Sequence, residues 1–146
     1  MTSCEIEAAG IAHCDRLAAV HVRCFTQAWS ATEIAGLLAQ TAVHGLLASG
    51  DGEDTGMALL RAVADEAEIL TIGVVPEMRS RGVGRQLLET LEATAQTAGA
   101  ARVFLEVSRA NAEARRLYDQ AGYSEIGLRK AYYADGTDAH ILEKRF

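Results

Sequence analysis

Ile72-Gly73-Val74-Val75-Pro76-Glu77-Met78-Arg79-Ser80-Arg81-Gly82-Val83-Gly84-Arg85 decides the reading of this chain. It reads as a strand, a stop, a glycine-bearing loop and a helix. The apolar, β-branched run ends at Pro76, which has no N–H to give a sheet ladder. Past the loop, Leu87, Leu88, Leu91 and Ala95 recur at helical spacing. Gly82 and Gly84 allow a tight turn and a close backbone approach to a ligand. A helix beginning here leaves its first N–H groups unpaired and places partial positive charge at its mouth, which suits phosphate. Arg79, Arg81 and Arg85 add full charges. A plain strand-to-helix connection with solvated arginines explains the same residues. No Gly-Lys-Ser/Thr follows, so the loop is not a Walker A, and a third glycine at dinucleotide-fold spacing is lacking.

The order of parts resembles the acetyl-coenzyme A motif of the GNAT N-acetyltransferases: Arg79, two variable residues, Gly82, one variable residue, Gly84, after a Val74-Val75-Pro76 strand ending. The likeness continues through Leu105-Glu106-Val107, Asn111 and Leu117-Tyr118 to Gly122-Tyr123. It is nearest to the RimI-type branch, which acetylates the N-terminal alanine of a small-subunit ribosomal protein. The resemblance implies a central sheet whose strand pair splays to admit the pantetheine arm of acetyl-coenzyme A. Backbone groups of Ile72, Gly73 and Val74 would hold that arm, and those of Ser80, Arg81, Gly82, Val83, Gly84 and Arg85 the pyrophosphate, with Asn111 serving the arm as well. Gly73 is equally readable as a packing glycine in a bulge, and Asn111 as a helix N-cap.

The totals agree with a globular rather than a disordered chain. The 146 residues make one domain, 1–146, with 49% hydrophobic and 23% charged residues. A net charge of −6 disfavours nucleic-acid binding and suits a basic peptide. Cys4, Cys14 and Cys24 are odd in number and lack metal-site spacing, so reduced thiols in a cytoplasmic protein and no metal are expected. No signal peptide and no membrane span are expected either. A monomer or weak homodimer fits these totals.

Taken in order, the chain predicts a strand over 5–9, then a helical stripe at Ile11, Leu17, Val20, His21 and Cys24, with His13 and His21 at the surface or an edge. Ser30 and Glu33 form a capping box for a helix reaching about Gln40. Strands are expected over 44–48, 55–63, 69–75, 101–108, 123–128 and 139–146. Helices are expected from the glycine loop to about Thr97, with Gly99 as its left-handed end, and over 111–120. The fold class is therefore α/β (α+β): a mixed, mostly antiparallel sheet with a local parallel pair, flanked by about four helices.

Acetyl transfer to an amine needs a proton acceptor and a proton donor. Glu106 places a carboxylate among apolar strand neighbours, and the resemblance makes it the base; alternation in a half-exposed strand accounts for it too. Glu68, at the head of the central strand, is the rival. Tyr118 is the acid: a phenol near pKa ~10 is protonated when a thiolate near ~8.5 departs. The resemblance implies that Phe25 and Trp29 border the peptide groove, and Tyr132 and Tyr133 are expected to line it from the opposite side, although core or edge packing would also employ them. An α-amine, with a pKa of about 8, costs roughly 3 kcal/mol less to deprotonate at neutral pH than a lysine near about 10.4. A single modest base therefore favours a protein N-terminus. A small-amine acetyltransferase and a non-catalytic coenzyme A-binding module are the competing readings.

Overall fold

The computed structural model describes residues 4–146. In chain order the elements are β1 (Glu5–Ala9), α1 (Cys14–Cys24), α2 (Ala31–Leu38), β2 (Val43–Gly50), β3 (Glu53–Val63), β4 (Glu66–Val74), α3 (Val83–Thr97), β5 (Arg102–Ser108), α4 (Ala112–Gln120), β6 (Ser124–Arg129) and β7 (Ala139–Arg145). Short 3-10 turns at Ile11–His13 and Pro76–Met78 precede α1 and follow β4. Among the described residues the strands form one seven-stranded sheet in the order β1-β2-β3-β4-β5-β7-β6. Every pairing is antiparallel except β4 with β5, as a strand–helix–strand crossover through α3 requires.

Alternation along the inner strands builds two cores. Met57 and Leu59 of β3 face Leu17, Val20 and Ile34 of α1 and α2. Ala58 and Leu60 face Leu87, Leu88 and Leu91 of α3. Leu87 and Leu91 are fully buried, and each such leucine contributes about 1.5–3 kcal/mol relative to exposure. Ser30 and Glu33 form the predicted capping box, with Glu33 N–H donating to Ser30 Oγ at 3.1 Å. Gly99 adopts φ +98° and ends α3 as expected.

Several boundaries differ from the sequence reading. β4 begins at Glu66, not Ile69, because Glu66, Ala67 and Glu68 pair with β3 and β5 at once. α2 stops at Leu38, two residues short of Gln40. His21 is not a surface residue: it is 3% exposed, beneath Phe25 and Trp29.

A bulge in β4 positions the site. Leu59 pairs with Thr71 and Leu60 with Ile69, so Leu70 is an extra residue. The side chains consequently change face along the strand: Ile69 packs towards α3, Leu70 towards α1, and Ile72 and Val74 towards α3 again. Bulges bend and twist the strand that carries them. The parallel ladder to β5 ends at Glu68–Phe104, although both strands continue. Beyond that pair, among the described residues, β4 has no strand paired on its β5 side, and a wedge opens between them.

Candidate active site

One arm of the wedge is a cleft of about 500 Å³ between the β4–α3 loop and α4. Ile72, Gly73 and Val74 line it, as do Arg79, Ser80, Gly82, Gly84 and Arg85. The loop backbone turns at Ser80 (φ +63°) and Gly82 (φ +86°). Left-handed backbone is costly for a side-chain-bearing residue, about 1–2 kcal/mol, and paired turns of this kind gather amides into an anion-binding concavity. Gly84 makes no left-handed turn. It lies in the first turn of α3, where a Cβ would meet Leu117 Cδ2 at 3.5 Å and Val74 Cγ2 at 3.6 Å. A Cβ on Gly82 would meet nothing within 4 Å.

Helix α3 has no side-chain cap, whereas Ser30 caps α2 and Asn111 caps α4. Its free amides therefore face the cleft without a competing side chain. The arginines are less free than expected. Arg79 Nε donates to Val74 O at 3.0 Å, and Arg85 pairs with Glu89 at 3.2 Å. Arg81 does not line the cleft, and Val83 is buried in the core. Arg116 of α4 does line it. Its place on one helix face with Glu113, Leu117 and Gln120 is a spacing signal that sequence reading could have used.

The second arm is a cavity of about 480 Å³ on the far side of the same wedge. Phe25, Trp29, Glu106 and Tyr133 line it, with Leu70 and Thr71 of β4. Phe25, Ile72, Asn111, Ala114 and Tyr118 line both arms. Tyr118 thus stands where they meet. It is 4% exposed, and burial pushes its phenol well above the ordinary range. Its hydroxyl has no hydrogen-bond partner among the described residues.

Glu106 lies in this second cavity, and its Oε1 forms an ion pair with Arg129 Nε at 3.0 Å. Glu68 does not line that cavity. It pairs across the ladder with Phe104, two residues from Glu106. Burial raises the Glu68 carboxyl above its usual range, against the pull of Arg61 at 3.7 Å. Asn111 Oδ1 accepts from Ala114 N–H at 3.1 Å, so the cap reading of Asn111 holds while it also lines both arms.

The aromatic expectations divide. Trp29 and Phe25 wall the cavity from one side and Tyr133 from the other. Tyr132 stays 49% exposed, edge-on to Tyr133 and under the Arg129 guanidinium, outside the cavity. Gly73 is a packing glycine as well as a cleft residue: a Cβ would come within 3.0 Å of Cys24 Sγ and 3.1 Å of Phe25.

The sequence profile of the acetyltransferase (GNAT) family matches residues 14–123. The chain belongs to the GNAT family. That family draws its acetyl group from acetyl-coenzyme A, and this cleft fits the donor: an unpaired strand edge, an uncapped helix mouth, and open space over Gly82. Among relatives, the [ribosomal protein bS18]-alanine N-acetyltransferase of Salmonella typhimurium is 36% identical over 96 residues, 64% of this chain and 65% of that one. The Escherichia coli K12 protein of the same name is 36% identical over 94 residues, 63% and 64%. The match therefore spans just under two thirds of these curated relatives. In three dimensions, the crystal structure of the ribosomal-protein-S18-alanine N-acetyltransferase from Escherichia coli superposes with a TM-score of 0.90 at 28% identity, over 98% of this GNAT chain and 94% of that one.

Proposed function

We propose that this protein transfers the acetyl group of acetyl-coenzyme A to the N-terminal α-amine of a protein. The N-terminal alanine of ribosomal protein bS18 is the acceptor its relatives' names point to. The observation that carries this reading is the meeting of the two arms at Tyr118, between the unpaired edge of β4 and the carboxylate of Glu106. In keeping with that role, the protein acts in the cytoplasm as a monomer or weak homodimer.

Acetyl-coenzyme A supplies a thioester whose carbonyl carbon accepts the amine. Ile72, Gly73 and Val74 present backbone groups along the arm, and Ser80 to Arg85 present amides to the diphosphate. The acceptor N-terminus lies between Trp29 and Tyr133. Glu106, oriented by Arg129, takes the proton that the ammonium must lose, directly or through a water; Glu68 is the second carboxylate in line. The C–S bond breaks as the C–N bond forms, Tyr118 passes its phenolic proton to the departing sulfur, and the second proton that the nitrogen loses on becoming an amide returns to the Tyr118 phenolate. The apolar surroundings that hold Tyr118 neutral also penalise a free thiolate, so proton donation accompanies C–S cleavage rather than following it.

The test is mass spectrometry of peptides incubated with the protein and acetyl-coenzyme A. A peptide beginning with alanine is modified at its free N-terminus, and the N-terminally blocked peptide is not. Modification of a lysine in the blocked peptide, with none at the free N-terminus, rejects the reading. Acetylation of a free amino acid or small amine alone does so too.

A further inference from the structure

His21 lies outside the chemistry described above, yet it is one of the few polar side chains buried in the described chain. Trp29 N–H donates to its Nδ1 at 3.1 Å. An acceptor nitrogen carries no proton, so the proton of the neutral ring is on Nε2. Nε2 in turn donates to Thr71 Oγ1 at 3.2 Å. The ring is stacked on Trp29, with centroids 5.0 Å apart and planes 9° from parallel, and it meets Phe25 at 4.5 Å. One imidazole thus joins three parts: helix α1, the Phe25–Trp29 segment, and β4 at the residue beside Ile72. Both His21 and Thr71 line the acceptor-side cavity.

We propose that His21 is the positioning residue of the acceptor wall: its Nε2-protonated ring pins the Phe25–Trp29 segment to β4, and so sets where the acceptor's first residues sit relative to the thioester. The inference rests on the acetyl-transfer reading for its consequence, and on the geometry alone for the pin. A segment without regular secondary structure has few backbone bonds of its own, so a side-chain acceptor for the Trp29 N–H fixes its path. Burial lowers the imidazole's proton affinity, while the Glu33 carboxylate from α2 opposes that shift. A protonated ring would direct an Nδ1–H at the Trp29 N–H, donor against donor, and the pin would fail.

Two variants separate pinning from packing. His21→Phe keeps an aromatic ring and loses both hydrogen bonds; His21→Asn offers an oxygen near the Nδ1 position. With an alanine-initiated peptide, His21→Phe raises the acceptor KM about tenfold, leaves coenzyme A affinity by calorimetry unchanged, and changes kcat less than KM. His21→Asn recovers part of that loss. Trp29 is the only tryptophan, so its fluorescence reports the wall without any turnover. In the unmodified protein the emission changes as pH falls below the ordinary histidine range, and in His21→Phe it does not. An unchanged KM in both variants, or a fluorescence profile that His21→Phe leaves intact, overturns the proposal. If no peptide is acetylated by the unmodified protein, the acetyl-transfer reading fails while the fluorescence result still decides the pin.

Discussion

The cleft proposed for the acetyl donor and the cavity proposed for the acceptor share a wall, but they are built differently. The first is made by two runs, β4 through the start of α3 on one side and α4 with its cap Asn111 on the other, with Cys24 and Phe25 at one end. The second draws on the α1–α2 connection, the middle of β4, the end of β5 and the β6–β7 loop. Local chain geometry is enough for a strand-loop-helix that presents amides. A pocket for a particular amine has to be assembled from parts distant in sequence, each held by its own tertiary contact. The β6–β7 loop illustrates the cost: Ala131 N–H donates to Asp138 Oδ1 and Thr137 N–H to Asp135 Oδ1, both at 2.9 Å, before Tyr133 can face the cavity.

The largest expected break of this contrast is on the donor side. Gly82→Glu puts a side chain on a left-handed residue and a negative charge at the helix mouth. Coenzyme A affinity by calorimetry should fall by about a hundredfold or more, with the fold retained by circular dichroism. Unaltered affinity would remove the loop from the donor site.

Next comes the shared wall. Tyr118→Phe should lower kcat by about 10²–10³ while coenzyme A affinity hardly moves, because the hydroxyl has no structural partner to lose. Turnover equal to the unmodified protein's would take Tyr118 out of the acid role.

The two carboxylates sharpen the acceptor side. Glu106→Gln should reduce kcat by about 10–100-fold, and Glu68→Gln by less. Glu68 titrates above the usual carboxylate range; below its raised pKa it is protonated and accepts nothing. If Glu68 were the base, the acidic limb of the rate profile would lie above that usual range and vanish in Glu68→Gln. A limb that survives there and is lost in Glu106→Gln assigns the base to Glu106.

The smallest effect lies away from both arms. Arg16 of α1 donates to Asp54 at the start of β3 at 2.7 Å, and this holds the Asp54 carboxyl below its usual range. A carboxyl depressed in the folded state stabilises fully above its unfolded pKa, and that contribution fades as pH falls through the depressed value. Asp54→Asn should therefore lower the melting temperature slightly at neutral pH and not at strongly acid pH, with the acceptor KM unchanged. A shift in KM would mean that the anchoring of α1 reaches the acceptor wall.

Legibility followed the same division. The β4–α3 run, the Ser30 capping box, Gly99 and the α4 cap at Asn111 are short-range features, and the sequence carries them in adjacent residues. Tyr118 and Glu106 stand in a motif that preserves order along the chain, and the structure brings both to the lining of the second cavity. His21 occupies a helix position that reads as an edge until Phe25 and Trp29 fold back over it. Arg79 and Arg85 looked like free cations until Val74 O and Glu89 took them.

By itself the sequence determined the mixed sheet, the crossover helix and the amide-rich mouth of α3, since these depend on periodicity, glycine and proline within a few residues. Only the tertiary structure decided where β4 parts from β5, which carboxylate reaches the acceptor cavity, and what holds Trp29 in its wall. Those outcomes turn on a one-residue bulge at Leu70 and on bonds between residues such as His21 and Thr71, fifty positions apart, and a contact of that span leaves no periodic trace along the chain.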